Sequence, residues 1–124
     1  MTRHDPLVYL LHMRDDARAA LDMMQGKTRA DLNETMLSYA VTFLVGRIDV
    51  TATKVPPSVR EAYPNIPWGD ILGVRDRILA SEGARNDDVV WETVGVLSDL
   101  LPALEASIED LKKVGDRYSG PATT

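Results

Sequence analysis

The sequence contains no cysteine and only two histidines among its 124 residues. Without cysteine the chain cannot form disulfides, bind a metal through thiolates or use a cysteine nucleophile. The histidines, His4 and His12, do not stand at a metal-ligand spacing. A solvated surface role is favoured for both, because a catalytic base needs positioned partners that these segments do not show. A chain without thiols is typical of the cytoplasm, and we expect that location.

Long apolar runs are also missing. Charged residues interrupt the N-terminal segment before a signal-peptide core or a membrane span could form, so we expect a soluble protein without a membrane partner. The 14 basic and 19 acidic residues give a net charge of −5, which as a whole repels nucleic acid. The charge is uneven, with +1 over residues 54–85 and −5 over residues 86–124.

Catalytic motifs of high specificity are absent. There is no P-loop, no dinucleotide fingerprint, no H-E-x-x-H and no serine elbow. Three acidic pairs are adjacent in sequence, Asp15-Asp16, Asp87-Asp88 and Glu109-Asp110. Neighbouring side chains on a helix point about 100° apart, so these pairs indicate solvated faces or helix caps. We therefore predict neither a cofactor nor a metal.

Apolar residues recur at intervals of three and four, which predicts an all-α protein. Helices are expected from Asp5-Pro6 to about Met24, from Thr28 to about Thr53, from Pro67 to Gly83, and from about Asn86 onward, with a short extra turn from Ser58 to Tyr63. Short loops favour an up-down four-helix bundle with one short extra helix. The predicted domain is 1–118, followed by a flexible tail, 119–124.

The last helix carries a seam that repeats every seven residues, formed by Val90, Val94, Leu97, Leu101, Leu104, Ile108 and Leu111. Pro102 lies within this seam and is expected to kink or divide the helix, because it removes a backbone hydrogen bond.

The segment from Tyr63 to Trp91 draws the most interest because of Arg75. If a helix continues from Pro67, one apolar stripe contains Trp68, Ile71, Leu72, Ile78 and Leu79, and Arg75 falls inside it. A guanidinium among apolar neighbours needs a carboxylate, a carbonyl, a phosphate or a partner subunit to accept its donors. Trp68 is favoured as a core anchor over a base-stacking platform.

This segment resembles the HepT-like ribonucleases, toxins of the HEPN superfamily. The resemblance lies in YPNIPW at residues 63–68, GVRD at residues 73–76, VVW at residues 89–91 and the leucine-rich helix that follows, and it extends from about Asp5 to Lys113. The family signature is an Arg with a polar neighbour, then a His four to six residues after the Arg, one spacer and a Tyr.

The resemblance implies that Arg75 and Asp76 are the catalytic pair, with Arg75 holding the phosphate of an RNA substrate. The positions of the family His and Tyr are occupied by Ala80 and Glu82. Ala80 has no titratable group, so the ribonuclease activity is expected to be weakened or lost. At the polar positions of the second helix this chain has Phe43, Gly46, Asp49 and Val50, which also departs from the family pattern.

The family further implies a prokaryotic toxin–antitoxin module, a homodimer and an MntA-type nucleotidyltransferase antitoxin that adds AMP to the motif Tyr. Glu82 cannot accept AMP in that way. Two interpretations of Arg75 remain open. It could hold a phosphate, with Ser81 or Glu82 replacing the base, or it could form an internal or interfacial ion pair with Glu82 or Asp49, which we favour. The alternative function is a non-catalytic helical module that binds the nucleotidyltransferase or a paralogue.

Overall fold

The computed structural model describes residues 5–80 and 86–119, with side chains as far as residue 114 in the last helix. The described chain is all-α. It contains six α-helices, namely α1 (Pro6–Met24), α2 (Thr35–Lys54), α3 (Pro57–Ala62), α4 (Trp68–Ile71), α5 (Val74–Leu79) and α6 (Asp87–Ser119), and one 3-10 turn (Arg29–Asn33) before α2. No described helix is both long enough and apolar enough to cross a bilayer.

The ends of the first two long helices follow from short polar residues. Asp5 accepts a hydrogen bond from the Leu7 amide at 2.9 Å, and Pro6 occupies the first turn, as expected. Gly26 adopts a left-handed conformation (φ 75°) just past the end of α1. Thr28 and Asp31 form a capping box, but it begins the 3-10 turn and not α2, which was expected to start at Thr28.

Glu34 begins α2, because its carboxylate accepts the amides of Met36 at 3.1 Å and Leu37 at 2.7 Å. The β-branched end of α2 stays helical as far as Lys54, one residue beyond the expected end at about Thr53.

The core lies among α1, α2 and α6, with α4 and α5 packed at its side. The seam of α6 is buried or half-buried along its described length, and Leu97, Leu100 and Leu104 are fully enclosed. Trp68 packs against this core, and its indole N–H donates to the Tyr63 carbonyl at 3.1 Å. Pro102 does not divide α6, which is one helix of 33 residues and runs as far as Ser119.

The helix expected from Pro67 to Gly83 is two helices. α4 ends at Ile71, and Gly73 takes a left-handed conformation (φ 87°) that only glycine adopts easily. The break rotates α5 relative to the continuous helix that was expected. As a result Val74 and Ile78 are buried in the core, while Arg75 and Leu79 are exposed. The expectation that Arg75 lies inside a core-facing stripe is therefore wrong. Gly83, the expected end of this helix, lies outside the described residues.

Candidate functional site

Arg75 is an exposed residue in the first turn of α5. Its side chain crosses α2 at Gly46, where a Cβ atom would lie 4.0 Å from Arg75 Cγ. Among the described residues its guanidinium has no carboxylate within salt-bridge distance and no hydrogen-bond acceptor. The favoured ion pair with Asp49 is therefore not formed through the side chain, and the other candidate, Glu82, lies outside the described residues.

Asp49 instead binds the backbone around Arg75. This α2 carboxylate is 7% exposed, and it accepts the amides of Gly73 at 3.1 Å and Arg75 at 3.0 Å. These amides lie at the start of α5, where no earlier carbonyl of the helix is available to accept them. Asp49 thus acts as a cap supplied by a neighbouring helix, and it fixes the point from which the Arg75 side chain leaves the backbone.

A groove of about 480 Å³ lies between α2 and α5, and Arg75 is one of its walls. Its other walls are mainly apolar and include Phe43, Val50 and Leu79. Its volume falls within the usual range for small-ligand sites, about 300–1,000 Å³. A second cavity of about 420 Å³ continues past Val50 and Arg75 and adds Lys54, Thr53 and Asp76. Two cations and one exposed carboxylate therefore border this cavity.

Arg47 lines the same groove as Arg75, and its guanidinium is held on two sides. Nε donates to Asp16 Oδ2 at 2.9 Å and Nη2 donates to Asp16 Oδ1 at 2.6 Å. On the other side Cζ lies 4.9 Å from the centroid of the Phe43 ring. The hydrogen bonds that Arg47 donates to Asp16, and then the negative charge of Asp16, raise the pKa of Arg47 above its ordinary value, so this side chain stays a cation.

Asp16 corrects the expectation of a solvated Asp15-Asp16 pair. Asp16 is 5% exposed and binds Arg47 across the α1–α2 interface, whereas Asp15 is exposed and pairs with Arg14. Arg47 was not singled out from the sequence, and Asp16 was named only as a member of an acidic pair. The one local signal was the spacing of Phe43 and Arg47, since side chains four residues apart on a helix are neighbours.

His12 is exposed, as expected, but it borders a cleft of about 290 Å³ that also contains Asp15, Asp16, Arg47 and Thr51. No group of three or more acidic or histidine side chains in the described part of the chain could hold a metal ion. His4 lies outside that part.

Comparison with known proteins gives a consistent answer. A protein of Caldanaerobacter subterraneus subsp. tengcongensis, named as a proposed RNase, is 24% identical over 107 residues, or 86% of this chain and 93% of the relative. A proposed RNase of Methanocaldococcus jannaschii is 29% identical over 83 residues, or 66% of this chain and 72% of the relative. A protein of Thermococcus cleftensis, named as a proposed ribonuclease HepT, is 24% identical over 104 residues, or 80% and 92%. The chain is similar to HepT-like ribonucleases. No family model and no solved structure matches it.

The described positions of the HepT-like motif lie on α5 and directly after it. Ala80, at the position of the family His, follows the last residue of the helix and is exposed. Its backbone amide donates to the Asp76 carbonyl at 2.9 Å, and its methyl group can neither donate nor accept a proton. Asp76 is exposed one residue after Arg75. Ser81 and Glu82 lie outside the described residues.

Proposed function

We propose that this chain is a HepT-like protein of a prokaryotic toxin–antitoxin module, that it binds RNA through Arg75, and that its ribonuclease activity is weakened or lost. The observation that carries the proposal is the exposed guanidinium of Arg75, which has no partner within the described part of the chain and borders a groove. A planar guanidinium matches two oxygens of a phosphodiester. Asp76, beside it, adds a negative charge that weakens this contact.

The weakened activity follows from the chemistry at residue 80. Cleavage of RNA requires a proton to leave the attacking hydroxyl and a proton to reach the departing oxygen, and a positioned acid or base contributes about 10²–10⁴-fold to such a step. The methyl group of Ala80 contributes nothing to it. Arg75 can still stabilise charge on the phosphate. The chain therefore keeps its affinity for RNA although its rate of cleavage is reduced or zero.

The proposal includes a homodimer in the cytoplasm, built from one domain (1–118) with long helices in up-down order and a short tail (119–124). Support for the dimer comes from exposed apolar residues on one side of the molecule. Met36 and Tyr39 on α2 are 76% and 58% exposed, and neither lines the groove that contains Arg75. Burying such residues against a second copy removes apolar area from water, which stabilises the dimer by about 25 cal/mol per Å² of apolar area buried.

The test restores the missing motif. The variant Ala80→His, Glu82→Tyr should cleave a fluorescently labelled single-stranded RNA about 10²–10⁴ times faster than the wild type. Adding Arg75→Gln should abolish the gain, whereas Arg77→Gln, a matched change at an exposed arginine that binds the Asp70 carbonyl, should preserve it. A restored variant that neither binds nor cleaves RNA would contradict the proposal.

A second candidate function rests on the same exposed apolar residues. The helical domain could serve as a non-catalytic module that docks a minimal nucleotidyltransferase antitoxin or an active paralogue. In that case the wild type should bind a minimal nucleotidyltransferase and show no affinity for RNA. Co-purification and RNA-binding assays on the same preparation separate the two candidates.

A further inference from the structure

Arg47 is the second cation of the groove that contains Arg75, and it differs from Arg75 in being immobilised. Two of its N–H groups donate to Asp16, and its planar face lies against Phe43. A guanidinium has five N–H donors, so three remain for a ligand. Asp16 is 5% exposed in the α1–α2 interface, so the carboxylate that binds Arg47 has a fixed position.

The immobilised state matters because an arginine side chain has about 2 kcal/mol of rotamer entropy, part of which a flexible side chain loses on binding. Arg47 has already lost much of that freedom on folding. Arg75 keeps more of its freedom, because within residues 5–80 and 86–114 its backbone amide is bound to Asp49 while its guanidinium has no hydrogen-bond partner. One oriented guanidinium and one adaptable guanidinium thus border a single groove with apolar walls. Apolar walls limit the water that competes for phosphate oxygens.

The geometry points to Arg47 as a second phosphate-binding residue of this groove, which together with Arg75 holds the backbone of single-stranded RNA. This inference rests on the proposed function and adds a residue that the HepT-like motif does not contain. Each arginine that contacts a phosphate releases counterions, so the assignment has a quantitative signature in the salt dependence of binding.

The experiment measures binding of a short fluorescein-labelled oligouridine by anisotropy between about 50 and 200 mM salt. The variant Arg47→Gln should weaken binding about tenfold, and it should reduce the slope of log K against log salt concentration by about 0.7, the value for one phosphate contact to a single strand. Arg18→Gln serves as the matched control. Arg18 is another exposed arginine paired with a carboxylate, Glu105, but it does not line the groove, so both quantities should stay at their wild-type values.

Removing Arg47 alone leaves Asp16 buried without its cation, which could unfold the protein. The double variant Asp16→Asn, Arg47→Gln removes both charges and leaves the net charge unchanged. It should show the same loss of slope, and circular dichroism should show a folded protein. If either folded variant keeps the wild-type slope while Arg75→Gln lowers it, the assignment of Arg47 is wrong and the proposed function stands. If the wild type itself does not bind the RNA, both are wrong.

Discussion

Replacing Asp49 by alanine should destabilise the protein by about 3 kcal/mol. The carboxylate is 7% exposed and accepts two amides, those of Gly73 and Arg75. A hydrogen bond to a charged group contributes about 1.5–3 kcal/mol, and the amides left behind at the start of α5 lose their only acceptor from the described side chains. The lower end of that range applies to each bond, because both amides can recover water once the carboxylate is gone.

Asp49→Asn should cost about half as much, since the amide keeps one oxygen acceptor but turns an N–H group toward the other donor. Urea denaturation followed by circular dichroism measures both losses, and for a chain of this length about 3 kcal/mol corresponds to a fall in Tm of about 10 °C. Asp76→Asn is the control, since this exposed carboxylate accepts no hydrogen bond from other described side chains. It should stay within about 0.5 kcal/mol of the wild type.

The result that refutes this account is a loss below about 0.5 kcal/mol for Asp49→Ala, or an equal loss for Asp76→Asn. Either outcome would mean that the start of α5 does not depend on the buried carboxylate. The variant should also weaken RNA binding through Arg75, because the backbone from which that side chain leaves would no longer be fixed.

Two further predictions concern pH and assembly. Burial, and then the hydrogen bond to Asp110 and its charge, raise the pKa of Tyr63 from 10.0 to about 12. Folding thus favours the neutral phenol. The contribution of Tyr63 to the free energy of unfolding is therefore complete below pH 10 and is lost as the pH rises to about 12. Urea titrations across that interval should show a loss of up to about 2 kcal/mol that Tyr63→Phe removes, and an identical pH dependence in the variant would contradict the assignment. For assembly, Met36→Lys should convert the proposed dimer to a monomer in light scattering, whereas Met23→Lys, a matched change on α1 at a 42% exposed methionine, should not; a dimer in both would place the interface elsewhere.

The sequence was sufficient for features that depend on local chemistry. The start of α1 at Asp5-Pro6, its end at Met24 and the seam of α6 were all predicted correctly, because each depends on residues within one or two turns. The end of α2 was predicted at about Thr53, one residue before its observed end at Lys54.

The sequence was insufficient where the outcome depended on a single backbone conformation. One left-handed residue, Gly73, moved Arg75 from a predicted core position to the surface and brought Val74 inside. A glycine within a helical pattern is compatible with either a continuous or a broken helix, and local periodicity cannot distinguish the two.

The pairing of Asp16 with Arg47 was missed for a different reason. Its partners are 31 residues apart and meet only because α1 and α2 pack side by side. No pattern within either helix distinguishes an aspartate that will be enclosed from one that will be solvated. Such contacts require the relative placement of two helices, which neither composition nor spacing provides.

The left-handed conformation of Gly73 constrains attempts to restore a catalytic histidine at residue 80. Gly73 precedes the short helix α5, and Ala80 follows the last residue of that helix. The direction of a side chain introduced at residue 80 therefore depends on the backbone conformation of Gly73, seven residues earlier. An L-amino acid in place of Gly73 would meet a steric penalty of about 1–2 kcal/mol or swing α5 to a new angle. The orientation of a catalytic side chain at residue 80 therefore depends on Gly73, which has no side chain of its own.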